Sequence, residues 1–286
     1  MIKIDYAILI NLKRRPDRLA QSLEELANAS VRAFVWTAVD KENGEEGLRL
    51  TMLKFFETML AQHKINNVLV LEDDIKFLNA PLLQECLNQL PHDYDLLHLG
   101  PNLLAPAEQV SKNLLKLSAA YSTHGVVYSR AAMKEIVKHL PGEKGFDQIL
   151  NNKIISRGKS FCSYPMIATQ RDSPSDIANF DEYAKNEQLQ KYIDYDRMAI
   201  RWGLMIEERF EKFARLKPEE ELKPIEVPCK KAHTIGGVMP ESTDIQYDGL
   251  TCDCKKLIHY AELCQTCVGM KKLLKSKENP DYSYVH

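Results

Sequence analysis

The sequence predicts an α/β fold: a mostly parallel central sheet flanked by helices, followed by a helical, Cys-rich C-terminal extension. Three observations predict it. Short apolar runs alternate with amphipathic stretches of helical period through the first 170 residues. The apolar runs end in acidic residues or in Gly-Pro, as strands do where they meet a sheet edge. Beyond about Gln170 the composition turns polar, and five of the seven cysteines fall after residue 228.

Tyr6–Ile10 reads as the first strand, and the next segment as a helix with Leu19, Leu23 and Leu26 on one face. Arg32–Val39 reads as a second strand. Leu50–Gln62 has the spacing of a helix that turns Leu53, Phe56, Met59 and Leu60 inward. Val68–Leu71 is a third strand. Pro81–Leu90 is a helix with Pro near its first turn, and Asp95–Leu99 a strand stopped by Gly100-Pro101. A less regular stretch follows. His124–Tyr128 then reads as a strand, with Ser129 placed to cap a helix running to Leu140. Phe146–Ile155 is a further helix and Ser160–Tyr164 a last strand. Arg197–Leu216 is an amphipathic helix before the charged, Pro-containing linker Lys217–Pro228. The expected organisation is a core over 1–180, a helical extension and linker over 181–228, and a Cys-rich segment over 229–286.

Bulk properties narrow the function. With 286 residues, 44% hydrophobic and 27% charged, the chain can bury one large core or two smaller ones. A net charge of -2, from 38 basic and 40 acidic side chains, gives no footprint of a nucleic-acid or membrane-surface protein. Met1–Ile10 has charge inside its apolar stretch and no small-residue cleavage site, so it does not read as a signal peptide. No run reaches the roughly 18 apolar residues of a membrane span. A cytoplasmic location is the expectation.

The chemistry concentrates at Val68–Lys76, where a buried strand runs directly into Glu72-Asp73-Asp74. Carboxylates at the C-terminal end of a strand stand where open α/β sheets bind ligands. Strand alternation would point Glu72 and Asp74 one way and Asp73 the other. Two hard oxygen ligands on one side suit Mn²⁺ or Mg²⁺ and leave positions for diphosphate oxygens. The loop Ile10–Arg18 carries four cations, Lys13, Arg14, Arg15 and Arg18, at the same sheet end, and Arg forks match phosphate. A polar strand end and a solvated basic loop are the plain alternatives; their conjunction points to a phosphate-and-metal site.

These residues resemble glycosyltransferase family 25, which includes lipooligosaccharide and procollagen galactosyltransferases. The resemblance rests on Asn11-Leu12 with Arg15, Asp17 and Arg18, then Leu69–Asp74, Asp95–Gly100, Thr123-His124, Asp147 and Tyr164-Pro165, in that order over residues 4 to 180. It implies a GT-A type nucleotide-sugar fold and inverting transfer from a UDP-sugar such as UDP-galactose or UDP-glucose. The donor would lie against Asn11, Leu12, Arg15, Arg18 and Asp73, with Glu72 and Asp74 on the metal. Thr123 and His124 would face the acceptor and Asp147 would be the general base, its alternative being a helix N-cap. Ser173–Ile177 resembles the family's closing segment, with Ser175-Asp176-Ile177 shaping the pocket. The chain departs from the pattern at Leu50–Leu53, where the family has a Ser-His pair before the acidic strand; Thr51 is the available hydroxyl. His233 is the available late His for a third metal ligand.

Cys252, Cys254, Cys264 and Cys267 form a workable tetrahedral Zn²⁺ set, with Cys229, His233 and His259 as substitutes. Free thiols or disulfides are the alternatives. The acceptor hydroxyl would sit on a glycan, a protein side chain or a modified nucleobase. Two rival classes stand beside the enzyme: a glycosyltransferase-like binding module without turnover, and a zinc-containing nucleic-acid-interaction protein. The second draws on Lys255, Lys256, Lys271, Lys272, Lys275 and Lys277 and is disfavoured by the neutral overall charge.

Overall fold

A computed structural model describes residues 2–142, 145–178, 180–218 and 221–222 and the short strand Tyr282–Ser283. The expectations for Cys229, His233, Cys252, Cys254, His259, Cys264 and Cys267 lie outside the described residues, as do the six tail lysines and most of the linker.

β1 (Tyr6–Asn11) is buried at every position. α1 (Pro16–Asn28) opens on a proline and turns Arg18, Ser22 and Leu26 inward, spaced four apart, with Leu19 and Leu23 half-buried beside them. The inward face is thus more polar than the leucine pattern implied. After β2 (Phe34–Thr37), α2 (Gly44–Leu60) begins six residues before the expected Leu50. Asn43 starts it, accepting a hydrogen bond from Glu46 N at 3.1 Å. β3 (Asn67–Glu72), β4 (Ile75–Phe77), α3 (Leu82–Gln89) and β5 (Leu96–His98) follow. The irregular stretch after Gly100 holds four short strands that the period did not show: β6 (Asn102–Leu103), β7 (Ala107–Ser111), β8 (Leu114–Lys116) and β9 (Ala120–Tyr121).

β10 (Gly125–Ser129) leads into α4 (Arg130–Val137), and Ser129 caps it as expected by accepting from Ala132 N at 3.1 Å. The helix from Phe146 is composite. α5 (Phe146–Ile149) passes into a π-helical turn over Leu150–Ile154 and a tight turn over Ile155–Arg157. β11 (Ser160–Ser163), a cis Tyr164-Pro165 peptide, β12 (Ala168–Gln170), α6 (Phe180–Lys185), β13 (Ile193–Asp194) and β14 (Ala199–Ile200) come next. α7 (Trp202–Phe213) is shorter than the expected Arg197–Leu216, because β14 pairs with β13 before it and β15 (Ala214–Arg215) joins β7 after it.

The main sheet runs β15-β7-β8-β11-β5-β10-β3-β1-β2, closed by β16 (Tyr282–Ser283). β2, β1 and β3 are parallel, as are β5 and β11 and also β7 and β15; β10 is antiparallel to both neighbours, β3 and β5. Most strands share one direction, as expected, but the reversal of β10 is what builds the site. It brings the entry to β10, Thr123-His124, to the edge where β3 ends, and Glu72 N donates to His124 O at 3.0 Å.

Side chains alternate between two packed layers. Ile8, Val70, Val126 and Tyr128 meet Phe55, Phe56 and Met59 of α2, with Met133 of α4 and Phe146 of α5. Leu9, Leu69, Leu71 and Val127 meet Leu26 of α1 and Leu82, Cys86 and Leu87 of α3 on the opposite face. Each fully buried aliphatic side chain contributes about 2 kcal/mol relative to exposure, so the two layers fix the sheet and its edges.

Gly100 is required where β5 leaves the sheet. A Cβ there would lie 1.8 Å from Ala168 O, and the same backbone bonds Ala168 N to Leu99 O at 3.0 Å. Gly100→Ala is expected to lower unfolding free energy by about 3 kcal/mol, as overpacking against a fixed carbonyl does. Urea denaturation at equilibrium checks it; a midpoint equal to wild type would mean β12 does not need this approach.

Candidate active site

The sheet edge at the end of β3 gathers three groups of side chains. β3 ends at Glu72, and Asp73 and Asp74 form the turn into β4, so the strand alternation expected for the triplet stops there. Asp73 is buried on the α1 side: its Oδ2 accepts from Asn11 Nδ2 at 2.7 Å and its Oδ1 from Arg18 Nη1 at 2.8 Å. Its carbonyl accepts from Ser22 Oγ and Arg171 Nη2. Burial pushes the Asp73 carboxyl up, and the Arg18 charge and Asn11 hydrogen bond oppose that.

Asp74 does not mirror Glu72. Its Oδ2 lies 3.6 Å from Arg18 Nη2 and accepts from Gln170 Nε2 at 3.3 Å, while its Oδ1 is buried with no hydrogen-bond partner. The residue is only 6% exposed, so Asp74 is buried at the strand end and does not stand in solvent. Gln170 and Arg171 hold it because β12 pairs with β4, and Arg171 N donates to Asp74 O at 2.7 Å.

Glu72 turns toward the entry to β10 and α5, within electrostatic reach of Asp74. Its Oε1 accepts from Thr123 Oγ1 at 2.5 Å. Burial raises its carboxyl to about 8, helped by the Asp74, Asp147 and Asp73 charges and opposed by the Thr123 hydrogen bond. Asp147 completes this group. It lies in the first turn of α5, whose N-cap is Gly145, so the N-cap alternative is overturned. Its Oδ2 accepts from Ser122 N at 3.2 Å, and one turn later Asn151 clamps both backbone groups of Ala120, at 3.0 and 2.7 Å. Ser122 is held at φ +72°, a conformation disfavoured for a residue with a side chain, next to Thr123. Burial lifts the Asp147 carboxyl to about 6 against that hydrogen bond.

His124 is completely buried, as is His98 on β5, so His124 stands behind Thr123 and does not line an open surface. Burial holds both imidazoles neutral, near 4 for His124 and near 3 for His98. Thr51 is also internal: its hydroxyl accepts from Val39 N and donates to Gly47 O, tying β2 to α2 and leaving nothing for a ligand.

The basic loop is the third group. Leu12 is half-exposed, and its carbonyl accepts from Arg15 N in the turn that starts α1. Arg14 Nη1 and Arg15 Nη1 donate to the two oxygens of Asp176 at 2.6 and 2.5 Å, and Arg18 Nη1 lies 3.8 Å from the same carboxylate. Burial raises the Asp176 carboxyl, but the Arg14 hydrogen bond and the surrounding guanidinium charges outweigh it and hold it below the usual range. Asn151, Gln170 and Arg171 were missed from sequence. Their only signal was position, Asn151 one helical turn after Asp147 and Gln170-Arg171 in the segment after Tyr164-Pro165.

No protein-family model matches the chain, and no curated protein matches it. Among solved structures it is similar to a Drosophila β-1,4-galactosyltransferase 7 variant in complex with manganese, UDP-Gal and xylobiose. Identity is 16% over 64% of this chain and 74% of that one, with TM-score 0.35. A mannose-1-phosphate geranyltransferase from Thermus thermophilus gives 10% identity over 57% and 74%, TM-score 0.33. A Desulfovibrio desulfuricans protein described as a nucleotide-diphospho-sugar transferase gives 11% over 74% and 99%, TM-score 0.29. These likenesses are distant, and the functional reading rests on the chain's own residues. No described helix is long and apolar enough to cross a membrane.

Because its carboxyl binds a proton more tightly in the folded chain than in the unfolded one, Glu72 lowers stability progressively as pH rises from the ordinary carboxylate range toward 8. With chelator present at pH 8, Glu72→Gln is expected to melt on the order of 3 °C above wild type. The difference should vanish near pH 3, well below the ordinary carboxylate value, where the carboxyl is neutral in both states. Equal melting temperatures at pH 8 would show that Glu72 carries no such penalty.

Proposed function

We propose that this chain is an inverting, metal-dependent glycosyltransferase that moves a hexose, galactose or glucose, from a UDP-sugar to a hydroxyl acceptor. The observation that carries the reading is the split of one sheet edge into an acidic group, Glu72, Asp74 and Asp147, and a cluster of arginines, Arg14, Arg15 and Arg18, with Asp73 bridging them. That edge complements a cation bound to a diphosphate.

The residues fit a divalent cation. Asp74 Oδ1 is buried without a hydrogen-bond partner, and the ionised form of Glu72 is disfavoured by burial and by the neighbouring Asp74, Asp147 and Asp73 charges. Among the described residues no three His, Cys, Asp or Glu side chains form a metal cage, so Glu72 and Asp74 would share an ion with donor oxygens and water. The chemistry such an ion supplies when bound is neutralisation of charge on the departing diphosphate.

The chain's own residues supply the rest. Arg15 and Arg14 would bind phosphate oxygens through their forked donors, while Asn11 and Arg18 hold Asp73 and with it the β3–β4 turn in place. Thr123, fixed by its hydrogen bond to Glu72, would border the acceptor. Asp147 would take the proton of the acceptor hydroxyl as that oxygen bonds the anomeric carbon, and the electron pair of the breaking C–O bond leaves with the nucleoside diphosphate. A carboxyl near 6 is ionised at neutral pH yet basic enough to share the proton in the transition state.

The test is nucleoside diphosphate release from a panel of UDP-sugars with Mn²⁺ and then with chelator, where activity restricted to the metal is expected. Asp147→Asn should cut kcat on the order of a hundredfold or more while donor binding is unchanged. Wild-type rate should rise with pH through about 6 as Asp147 ionises, and this limb should be absent in the variant. Wild-type turnover by Asp147→Asn would remove Asp147 from the mechanism.

A further inference from the structure

Residues 173 to 178 lie as a strap over the basic loop. Ser173 bridges to Ile200, and Arg18 Nη2 donates to Ser173 Oγ and Pro174 O at 2.5 and 3.2 Å. Ser175 Oγ accepts from Ile177 N and Ala178 N and shapes the turn that delivers Asp176. The strap places no side chain in either apolar layer, and Ile177 is 46% exposed. Its attachment is polar: one carboxylate faces three arginines, beside the Arg18 hydrogen bonds to Ser173 and Pro174. Arg15, Arg18 and Asp176 are largely buried, so the cost of desolvating them offsets much of their attraction. One close backbone approach adds to it, since a Cβ on Gly44 would lie 2.3 Å from Asp176 O.

Arg14 and Arg15 each give Asp176 one Nη1 donor, and a carboxylate so held presents two oxygens where a phosphate group would present its own. Arg14 and Arg15 also pair with Asp40 and Asp17, each through two hydrogen bonds, but Asp176 is where their charges converge with that of Arg18. We propose that Asp176 is a built-in anion occupying the phosphate site formed by Arg14, Arg15 and Arg18, and that the donor diphosphate binds by displacing it and lifting the strap. This rests on the proposed function in taking a nucleoside diphosphate as the incoming anion. The site is thus guarded against weakly held anions, and apparent affinity is reduced by the fraction of molecules in which the strap is down.

Inorganic pyrophosphate in chelator, titrated calorimetrically into the full-length protein, probes the arginines without the metal. If the strap is down in about nine molecules of ten, Asp176→Asn should bind pyrophosphate roughly tenfold more tightly than wild type. Gly44→Ala, which leaves every charged group in place but crowds the strap, should also tighten binding. Unchanged or weaker binding by Asp176→Asn would overturn the proposal and make Asp176 a residue that holds the arginines in position. The proposed function fails separately. Tighter pyrophosphate binding by the variant, with no UDP-sugar turned over by wild type, would keep the displaced anion and reject the transferase; donor turnover with unaltered pyrophosphate binding would do the reverse.

Discussion

The buried pair of Arg18 and Asp73 is the constraint on which the site depends. Through it α1, the end of β1, the β3–β4 turn and the segment after β12 become one body: Asn11 and Arg18 grip the Asp73 carboxylate, Ser22 and Arg171 grip its carbonyl, and Arg18 also reaches Ser173. Removing two opposite charges from water costs about as much as their attraction returns, so the pair is not a net source of stability. Its consequence is positional. Losing either partner would leave the other charged and buried, and every segment that meets there would have to move.

That pairing also decides what the other two acids of the triplet experience. A single Arg18 side chain answers Asp73 at 2.8 Å and leaves Asp74 at 3.6 Å, with one of its oxygens unpartnered. Glu72 accepts from the Thr123 hydroxyl, and burial, with the Asp74, Asp147 and Asp73 charges, raises its carboxyl to about 8. An acidic turn made only for solubility would lie in water with ordinary acidity. This one is largely buried, with Arg18 and Arg171 on its Asp73–Asp74 side and a raised carboxyl at Glu72.

Much of the fold was legible because the apolar runs and helical faces that predict it are the same ones that pack it. Val68–Leu71 and Tyr6–Ile10 carry their own signal, being buried on both faces of a sheet. The start of α2 was missed because its signal is a cap, Asn43 with Glu46, and not a hydrophobic period. β6, β8 and β9 were missed because strands of two or three residues are too short for alternation to show, and β7 because its sequence Ala-Glu-Gln-Val-Ser places small and polar residues on its buried face. They are held by side chains from elsewhere, such as Gln89, whose amide oxygen accepts from both Ser111 and Asn113. The direction of β10 was unreadable as well, since alternation is the same for either direction.

The site was legible in its ingredients and not in its pairings. Carboxylates at a strand end and arginines in a strand-to-helix loop are local patterns, and both stand at the expected edge. Which cation answers which acid is set by closure over long sequence separations: 55 residues for Arg18 with Asp73, 161 for Arg15 with Asp176. A sequence read alone counts the basic loop as free positive charge. The folded chain shows that charge already engaged, by Asp73 inside and by Asp176 at the rim. An anion arriving at Arg14 and Arg15 therefore meets an occupied site, while on the acidic side Asp74 pairs one oxygen with Arg18 at 3.6 Å and keeps the other without a hydrogen-bond partner.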